Sequence, residues 1–315
     1  MNNKSFFKLV EIQTKVASML PFITGALFCF YRYRIFNIVN TLLFLISLLS
    51  IDMATTALNN YMDFKRAIVK EGYNYEHHNA IVAYDLTIKQ VRLVITFLII
   101  LATIIGIILA LRTDIVVLLL GILSFGAGIL YSFGPVPISR TPLGEAFSGL
   151  FMGGLIFFIT VYIQAYHLDI VVFSYIEGNL ILNFSIKELI PIMIASFPMI
   201  AGIANIMLAN NLCDLPEDIE NKRYTLPYYI GEERGIKLFA LLYYLSYVAI
   251  IIGVILKALP LICLLVLLTF PFLYKGIKRF KEVQKKESTF VIAVQNFTLF
   301  SISYAFTLVI GLLIF

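Results

Sequence analysis

Long apolar runs, separated by short polar or charged segments, dominate this sequence. A helix needs about 20 mainly apolar residues to cross the hydrocarbon core of a bilayer. By that measure the pattern predicts nine membrane-spanning helices, at 16–31, 36–58, 91–111, 115–133, 144–166, 188–211, 236–256, 258–275 and 290–314. The predicted fold class is therefore an all-α membrane protein, with a single domain over residues 1–315.

One polar pattern occurs twice, each time where an apolar run ends. Residues 59–63 (NNYMD) end the second predicted span, and residues 210–214 (NNLCD) end the sixth. The two copies are four spans apart and share one orientation. This predicts two parallel four-helix repeats, roughly 16–133 and 144–275, followed by a final span over 290–314.

The side chains of this repeated pattern are candidates for metal binding. Residues four apart share one face of a helix, so Asn59 and Asp63 are expected to point the same way. Asn210, Asp214 and Asp218 follow the same spacing in the second copy. Asp52 lies on the helix face of Asn59, deeper in the membrane. Oxygen ligands suit Mg²⁺, although helix capping or helix bridging stays an alternative. The predicted metal ligands are Asn59, Asp63, Asn210, Asn211, Asp214 and Asp218.

The composition agrees with a membrane protein. Of the 315 residues, 60% are hydrophobic and 14% are charged, whereas soluble domains carry about 25% charged residues. Three scattered cysteines (Cys29, Cys213 and Cys263) favour neither disulfides nor a zinc site. The net charge of +5 is better explained by membrane orientation than by a nucleic-acid partner.

The positions of the positive charges predict the orientation. Most of the 24 lysines and arginines fall in segments on the same side as the N-terminus. The positive-inside rule therefore places the N-terminus and both polar clusters in the cytoplasm and the C-terminus outside the cell membrane, although Arg32 and Arg34 run against the bias. The apolar outside loop 167–187 is expected to lie along the membrane interface. The basic loop from Lys275 to Lys286 is expected to meet anionic lipid.

Two further stretches narrow the function. Residues 210–226 (NNLCDLPEDIENKRYTL) extend the second cluster, and residues 131–145 contain YSFGPVP followed by LGE. With these motifs the chain resembles the UbiA superfamily of intramembrane aromatic prenyltransferases, whose two Asp-rich motifs are similar to the two clusters. The stretch 131–145 is similar to a segment of the branch that prenylates 1,4-dihydroxy-2-naphthoate in menaquinone biosynthesis. Nine spans also agree with the superfamily, so the resemblance covers nearly the whole chain.

The resemblance implies a Mg²⁺-dependent transfer of a polyprenyl group from polyprenyl diphosphate to 1,4-dihydroxy-2-naphthoate. CO₂ and diphosphate would be lost, giving demethylmenaquinol, and membrane lipid would be a further partner. Asn59 and Asp63 would hold one Mg²⁺, and Asp214 and Asp218, with Asn210 or Asn211, the other. The candidates for binding the diphosphate are Lys65, Lys222, Arg223 and Arg140, with ordinary loop charge as the alternative. The candidates for orienting or deprotonating the acceptor are Tyr131 and Glu145, the latter alternatively a charge at a helix N-terminus.

The first cluster departs from the family pattern. Asn60 stands where an Asp is expected, Ala67 replaces a Gly, and Val69 lies near the position of a further acid. Either Glu71, Glu76 or Asp85 would compensate for the missing acids, or the first metal would be held more by Asn59 and water. The adjacent pair His77–His78 favours a solvated loop over a metal site.

Two other functions remain open at the level of sequence. A related enzyme of the superfamily would use another acceptor, such as 4-hydroxybenzoate. A membrane transporter would carry its ionisable residues in the middle of its spans. Here they cluster at one face of the membrane, which favours an enzyme.

Overall fold

Nine helices in the described part of the chain are long and apolar enough to cross a membrane. The computed structural model describes residues 1–66, 79–134 and 136–314. The nine spans, numbered in chain order, are Ile12–Tyr33, Ile38–Lys65, Ile88–Arg112, Ile115–Ser132, Gly144–Leu168, Ile186–Cys213, Glu232–Ile255, Leu261–Glu282 and Phe290–Ile314. The predicted nine-span all-α membrane fold is confirmed. The first span begins earlier than predicted, so Lys15 lies inside it.

Short helices connect or extend the spans. The chain begins with a helix over Asn3–Leu9 and a 3₁₀ turn over Ile12–Lys15, and the other short helices are Ala80–Ala83, Ile138–Arg140, Leu215–Glu220 and Leu226–Ile230. Two spans are irregular: the fifth contains a π-helical segment over Gly149–Leu155, and the eighth begins as a 3₁₀ helix over Leu261–Thr269. π-Helical turns are frequent near functional sites.

The loop between the fifth and sixth spans is a β-hairpin, which the sequence did not predict. Strands β1 (Val171–Ile176) and β2 (Asn179–Phe184) pair antiparallel, from Val171 opposite Phe184 to Ile176 opposite Asn179. Their turn places Glu177 and Gly178 at positive φ, 50° and 86°. Apolar residues on both faces of the hairpin hide the two-residue alternation that indicates a strand.

The fifth and sixth spans approach each other closely enough for their backbones to touch. A Cβ atom at Gly149 would lie 2.6 Å from the Ile200 carbonyl oxygen, and one at Gly153 would lie 2.6 Å from the Ile200 nitrogen. Small residues permit this approach between membrane helices. The contact fixes the start of the fifth span, with Glu145, against the end of the sixth span, with Asn211.

An ion pair joins the first and sixth spans at the end away from the polar clusters. Arg32 lies 3.2 Å from a Glu188 oxygen, which also accepts a 2.8 Å hydrogen bond from the Tyr33 hydroxyl. One of the two arginines that run against the predicted charge bias, Arg32, is thus paired with a carboxylate.

Candidate functional site

The two polar clusters meet on one cavity. A cavity of about 740 Å³ lies among the first six spans and the start of the ninth, and it is lined by Asn59 of the first cluster and Asn210 of the second. Tyr131 and Ser148 line the same cavity. One residue from each cluster therefore lies on the same cavity wall.

The rest of the cavity wall is mainly apolar, and part of it reaches the outer surface of the helices. Its apolar lining includes Phe44, Leu48, Phe125, Phe151, Ile156 and Ile203. Two further lining residues, Ile107 and Ile122, are 45% and 62% exposed. Since both lie within spans, the cavity opens towards the region that lipid would occupy.

The second cluster binds a lysine that the sequence assigned to lipid. The Lys286 ammonium lies 2.5 Å from Asp214 Oδ2 and also donates to Asn210 Oδ1. The Asn210 side-chain amide donates to the same Asp214 oxygen at 3.2 Å. The prediction that the loop from Lys275 to Lys286 only meets lipid is therefore wrong for Lys286.

The helix that carries the second cluster ends at Cys213, one residue before Asp214. Asp214 and Asp218 were expected to share a face of one continuous helix, but Asp218 lies in the separate short helix Leu215–Glu220. Pro216 explains the interruption, because proline removes a backbone donor and is favoured in the first turn of a new helix. The turn moves Asp218 into the interior, where it is 3% exposed.

Asp218 is a buried carboxylate paired with Arg223. Arg223 Nη1 lies 3.2 Å from Asp218 Oδ1. Burial raises the pKa of the Asp218 carboxyl to about 6; Arg223 opposes this rise and the nearby Asp214 charge adds to it. The arginine predicted to bind diphosphate is thus held beside a predicted metal ligand.

Asn211 contacts the predicted acceptor residue Glu145. Its side-chain amide donates a 2.8 Å hydrogen bond to Glu145 Oε1, and both side chains are buried. Tyr131, the other predicted acceptor residue, accepts a 3.0 Å hydrogen bond from the Ser148 hydroxyl. Tyr131 therefore faces the cavity directly, whereas Glu145 is bonded to a predicted metal ligand. Their roles towards an acceptor stay predictions.

In the first cluster, the two asparagines point in different directions. Asn60 is buried and donates to the Leu9 carbonyl and to the Glu11 carboxylate, both at 3.2 Å, so it fixes the N-terminal segment. Asn59 lines the cavity. Asp63 is exposed at the end of the span. Neighbouring residues on a helix project about 100° apart, which explains why Asn60 and Asn59 differ.

Asp52 lines the cavity in an ion pair that is almost fully buried. Lys15 Nζ lies 2.6 Å from Asp52 Oδ1 and donates to the Thr56 hydroxyl at 2.7 Å. The Ser18 hydroxyl donates to the other Asp52 oxygen at 2.6 Å. The predicted first span, 16–31, does not include Lys15, but this residue is only 4% exposed. The sequence did not indicate this contact, because Lys15 lies directly before the apolar run and the exact start of the span could not be predicted.

The remaining predicted diphosphate residues lie away from the cavity lining. Lys222 and Arg140 line a second, smaller pocket of about 550 Å³, together with Tyr224 and Tyr229. Lys65 is exposed at the end of the second span. Their role in diphosphate binding stays a prediction.

Several residues weighed in the sequence analysis lie outside the described residues. They are Ala67, Val69, Glu71, Glu76, His77 and His78. Asp85, also considered as a compensating ligand, is described and lies in an exposed turn at positive φ, 47°.

The oxygen atoms of the two clusters fit a hard divalent cation. Among the predicted site residues that the structure describes, four buried oxygens have no hydrogen-bond partner: Asn59 Oδ1, Asn211 Oδ1, Glu145 Oε2 and Asp218 Oδ2. A buried oxygen without a partner is costly, and hard cations take oxygen ligands. In the described ranges no three His, Cys, Asp or Glu side chains come together as a metal-binding group. Amide oxygens, water or substrate would therefore complete the coordination of such an ion.

Comparison with known proteins gives concordant results. The model of the UbiA prenyltransferase family matches residues 18–309. The chain is 27% identical over 308 residues to a 1,4-dihydroxy-2-naphthoate octaprenyltransferase of Bacillus subtilis (strain 168), covering 98% of this chain and 92% of that protein.

Solved structures share the fold. A UbiA homologue from Archaeoglobus fulgidus bound to GPP and Mg²⁺ has a TM-score of 0.66 at 14% identity, covering 98% of this chain and 100% of that chain. The apo structure of a UbiA homologue from Aeropyrum pernix K1 has a TM-score of 0.65 at 16% identity, covering 96% and 98%. At these identities the likeness concerns the fold.

Proposed function

The chain belongs to the UbiA prenyltransferase family, and from this premise we propose that it transfers a polyprenyl group from polyprenyl diphosphate to 1,4-dihydroxy-2-naphthoate. In this reaction the bond between the first prenyl carbon and the diphosphate oxygen breaks, and a bond to a ring carbon forms. The ring carboxylate leaves as CO₂. The product is demethylmenaquinol, an intermediate of menaquinone biosynthesis.

One observation carries this proposal: Asn59 and Asn210, from polar clusters four spans apart, line one cavity together with Tyr131. A diphosphate at that end of the cavity would contact both clusters. A transporter does not require this convergence at one end of the spans, and family membership excludes that alternative.

The residues that would hold Mg²⁺ are those of the two polar clusters, whose side chains carry carboxylate or amide oxygens. Asp214, Asp218 and Asn211 would supply ligands on one side, and Asn59 and Asp63 on the other. When bound, Mg²⁺ neutralises the charge that develops on the leaving diphosphate. Arg223 stands 3.2 Å from Asp218, where its guanidinium adds a fixed positive charge. In support, the A. fulgidus homologue is bound to Mg²⁺ and GPP.

The apolar part of the cavity would hold the prenyl chain. Its lining by Phe, Leu and Ile side chains excludes water from the reacting carbon, and water would otherwise capture the electrophile. The exposure of Ile107 and Ile122 gives a long tail room to extend into the bilayer.

The choice of acceptor is supported by the B. subtilis relative and by the position of Tyr131. That relative is a 1,4-dihydroxy-2-naphthoate octaprenyltransferase and matches 98% of this chain. Tyr131 and Phe147 both line the cavity, and their rings are stacked with 6.2 Å between the ring centroids. A flat aromatic acceptor in the cavity would stack against this pair of rings. The alternative is another family acceptor, such as 4-hydroxybenzoate.

A single assay separates these acceptors. Purified protein is incubated with Mg²⁺, a polyprenyl diphosphate, and equal amounts of 1,4-dihydroxy-2-naphthoate and 4-hydroxybenzoate, and the products are identified by mass spectrometry. We expect a prenylated naphthalenediol without its carboxylate, and no product in EDTA. A prenylated hydroxybenzoate as the main product would contradict the acceptor, and equal yields with and without EDTA would contradict the metal.

A further inference from the structure

A lysine from the loop between the eighth and ninth spans contacts the second polar cluster. The eighth and ninth spans are joined by a turn in which the Lys285 backbone N–H donates to the Thr289 hydroxyl at 2.8 Å. The Thr289 and Phe290 backbone N–H groups in turn donate to the Lys285 carbonyl. This network holds the next residue, Lys286, at the mouth of the cavity.

The Lys286 ammonium makes three contacts there. It lies 2.5 Å from Asp214 Oδ2, donates to Asn210 Oδ1, and stands 5.1 Å from the centre of the Phe290 ring. Phe290 and Asn210 both line the cavity. The Lys286 side chain is still 42% exposed, so it is free to move along the cavity mouth.

Lys286 and a divalent cation would compete for the same atoms. A Mg²⁺ ligated by Asp214 lies about 2.1 Å from the carboxylate oxygen, which is close to the place that the ammonium now takes. Two positive charges at that separation repel each other strongly. Metal binding through Asp214 Oδ2 therefore requires the ammonium to leave that oxygen.

The diphosphate offers the ammonium a new partner nearby. An oxygen of a diphosphate bound to that Mg²⁺ would lie within about 4 Å of Asp214, since it shares the metal's coordination shell. Lysine binds phosphate as a compact point charge on a flexible stem. A small movement of the side chain would exchange a carboxylate oxygen for a phosphate oxygen without any loss of ion pairing.

We propose that Lys286 is a mobile diphosphate ligand that holds Asn210 and Asp214 until Mg²⁺ and diphosphate bind, and then moves onto a diphosphate oxygen. This inference rests on the proposed function, because it needs a diphosphate at the polar clusters. It assigns to Lys286 a role in holding the diphosphate that the other lysines of this loop do not have. Lys285, the adjacent residue, supplies a matched control with the same charge and an exposed side chain.

Chemical labelling of lysines tests the movement directly. The purified protein is treated briefly with acetic anhydride in buffer, with Mg²⁺ alone, or with Mg²⁺ and inorganic pyrophosphate, and the acetylation of each lysine is measured by mass spectrometry. We expect Mg²⁺ alone to raise the labelling of Lys286, and Mg²⁺ with pyrophosphate to lower it again. The labelling of Lys285 should stay constant. Unchanged labelling of Lys286 in all three samples would overturn the proposal.

Variants test the contribution to binding. We expect Lys286→Met to weaken Mg²⁺-dependent binding of pyrophosphate about fivefold, and Lys286→Arg to restore most of it, as suits an exposed charge pair. Lys285→Met should change binding less than about twofold. If Lys286→Met binds pyrophosphate as tightly as the wild type does, Lys286 only forms a surface ion pair. The inference about Lys286 then fails, but the proposed function does not. If the wild type binds no pyrophosphate with Mg²⁺, the proposed function fails with it.

Discussion

The side-chain amide of Asn211 donates a 2.8 Å hydrogen bond to Glu145 Oε1, across 66 residues of sequence. Both side chains are buried, and each keeps one oxygen without a partner among the described residues. The bond fixes which way the Asn211 carbonyl oxygen points. Since Asn211 belongs to the second polar cluster, Glu145 helps to fix the geometry of that cluster.

This bond predicts a difference between two variants of Glu145. Glu145→Gln keeps a carbonyl oxygen that can accept from Asn211, so we expect prenyl transfer to stay within about tenfold of the wild type. Glu145→Ala leaves the Asn211 amide without an acceptor, which should cost about 1–3 kcal/mol of stability and lower the activity further. The measurements are kcat/KM and the thermal midpoint in detergent. A Glu145→Gln variant that is inactive at an unchanged midpoint would instead indicate that the carboxylate deprotonates the acceptor.

The buried Asp218 predicts that metal binding depends on pH. Its pKa is raised to about 6, chiefly by burial. The protonated carboxyl is neutral and is a poor metal ligand, so the affinity for Mg²⁺ should fall as the pH drops below about 6, by up to about tenfold per pH unit. Above pH 7 the affinity should be nearly constant. The check is the Mg²⁺ concentration that gives half-maximal activity at a series of pH values.

A matched variant controls for other titrating groups. Asp218→Asn should need more Mg²⁺ at every pH and should show a flatter dependence between pH 5 and 7. A wild-type profile that is flat through pH 6 would show that no titrating group controls metal binding there. An Asp218→Asn profile that keeps the wild-type slope would show that a group other than Asp218 titrates.

The pair of Lys15 and Asp52 predicts a large effect on stability. Asp52→Asn would leave the Lys15 ammonium buried without a counter-charge, and breaking a buried ion pair in this way costs about 3–5 kcal/mol. We expect a clear fall in the thermal midpoint, and partial recovery when Lys15→Met is added. Asp85→Asn, at an exposed turn, serves as the control and should leave the midpoint unchanged. An Asp52→Asn variant as stable as this control would show that the pair contributes little.

The cavity wall predicts control of the prenyl chain. A Cβ atom at Gly121 would meet no atom within 4 Å, and Gly121 lines the cavity. Gly121→Leu should therefore fold normally while filling part of the apolar space. We expect kcat/KM to fall about tenfold or more for long polyprenyl diphosphates and to change little for GPP, because each methylene that loses its place forfeits about 0.8 kcal/mol of burial.

The control for this variant lies on the outer side of the same span. Ile129 is 42% exposed and lies outside the cavity lining. Ile129→Phe should leave the preference for chain length unchanged. Equal losses for long and short donors in Gly121→Leu would mean that the prenyl chain takes another path.

The spans could be predicted from sequence because membrane helices need long apolar runs, which composition alone reveals. The hairpin over 171–184 could not, since its apolar residues face both sides. The end of the sixth span before Asp214 is indicated by Pro216, but the direction that the chain takes after this break depends on local backbone geometry. Asn59 and Asn60 are adjacent and chemically identical, so sequence could not say which one faces the cavity.

The contacts of Lys286 and Lys15 could not be predicted from the sequence for a different reason. Lys286 is one of several lysines in its loop, and only the turn before the ninth span brings it to Asp214. Lys15 reaches Asp52 because the first span starts earlier than the apolar run does. Long-range contacts of this kind depend on how the helices pack, which the pattern along one chain does not specify.

The central claim is that both polar clusters act on one metal-bound diphosphate. The measurement is a double-mutant cycle: the affinity for pyrophosphate with Mg²⁺ is determined by calorimetry for wild type, Asn59→Ala, Asp214→Asn and the double variant. We expect each single variant to weaken binding and their effects to be strongly non-additive, because both remove parts of one shared site. Additive effects, or a single variant that binds like the wild type, would contradict it.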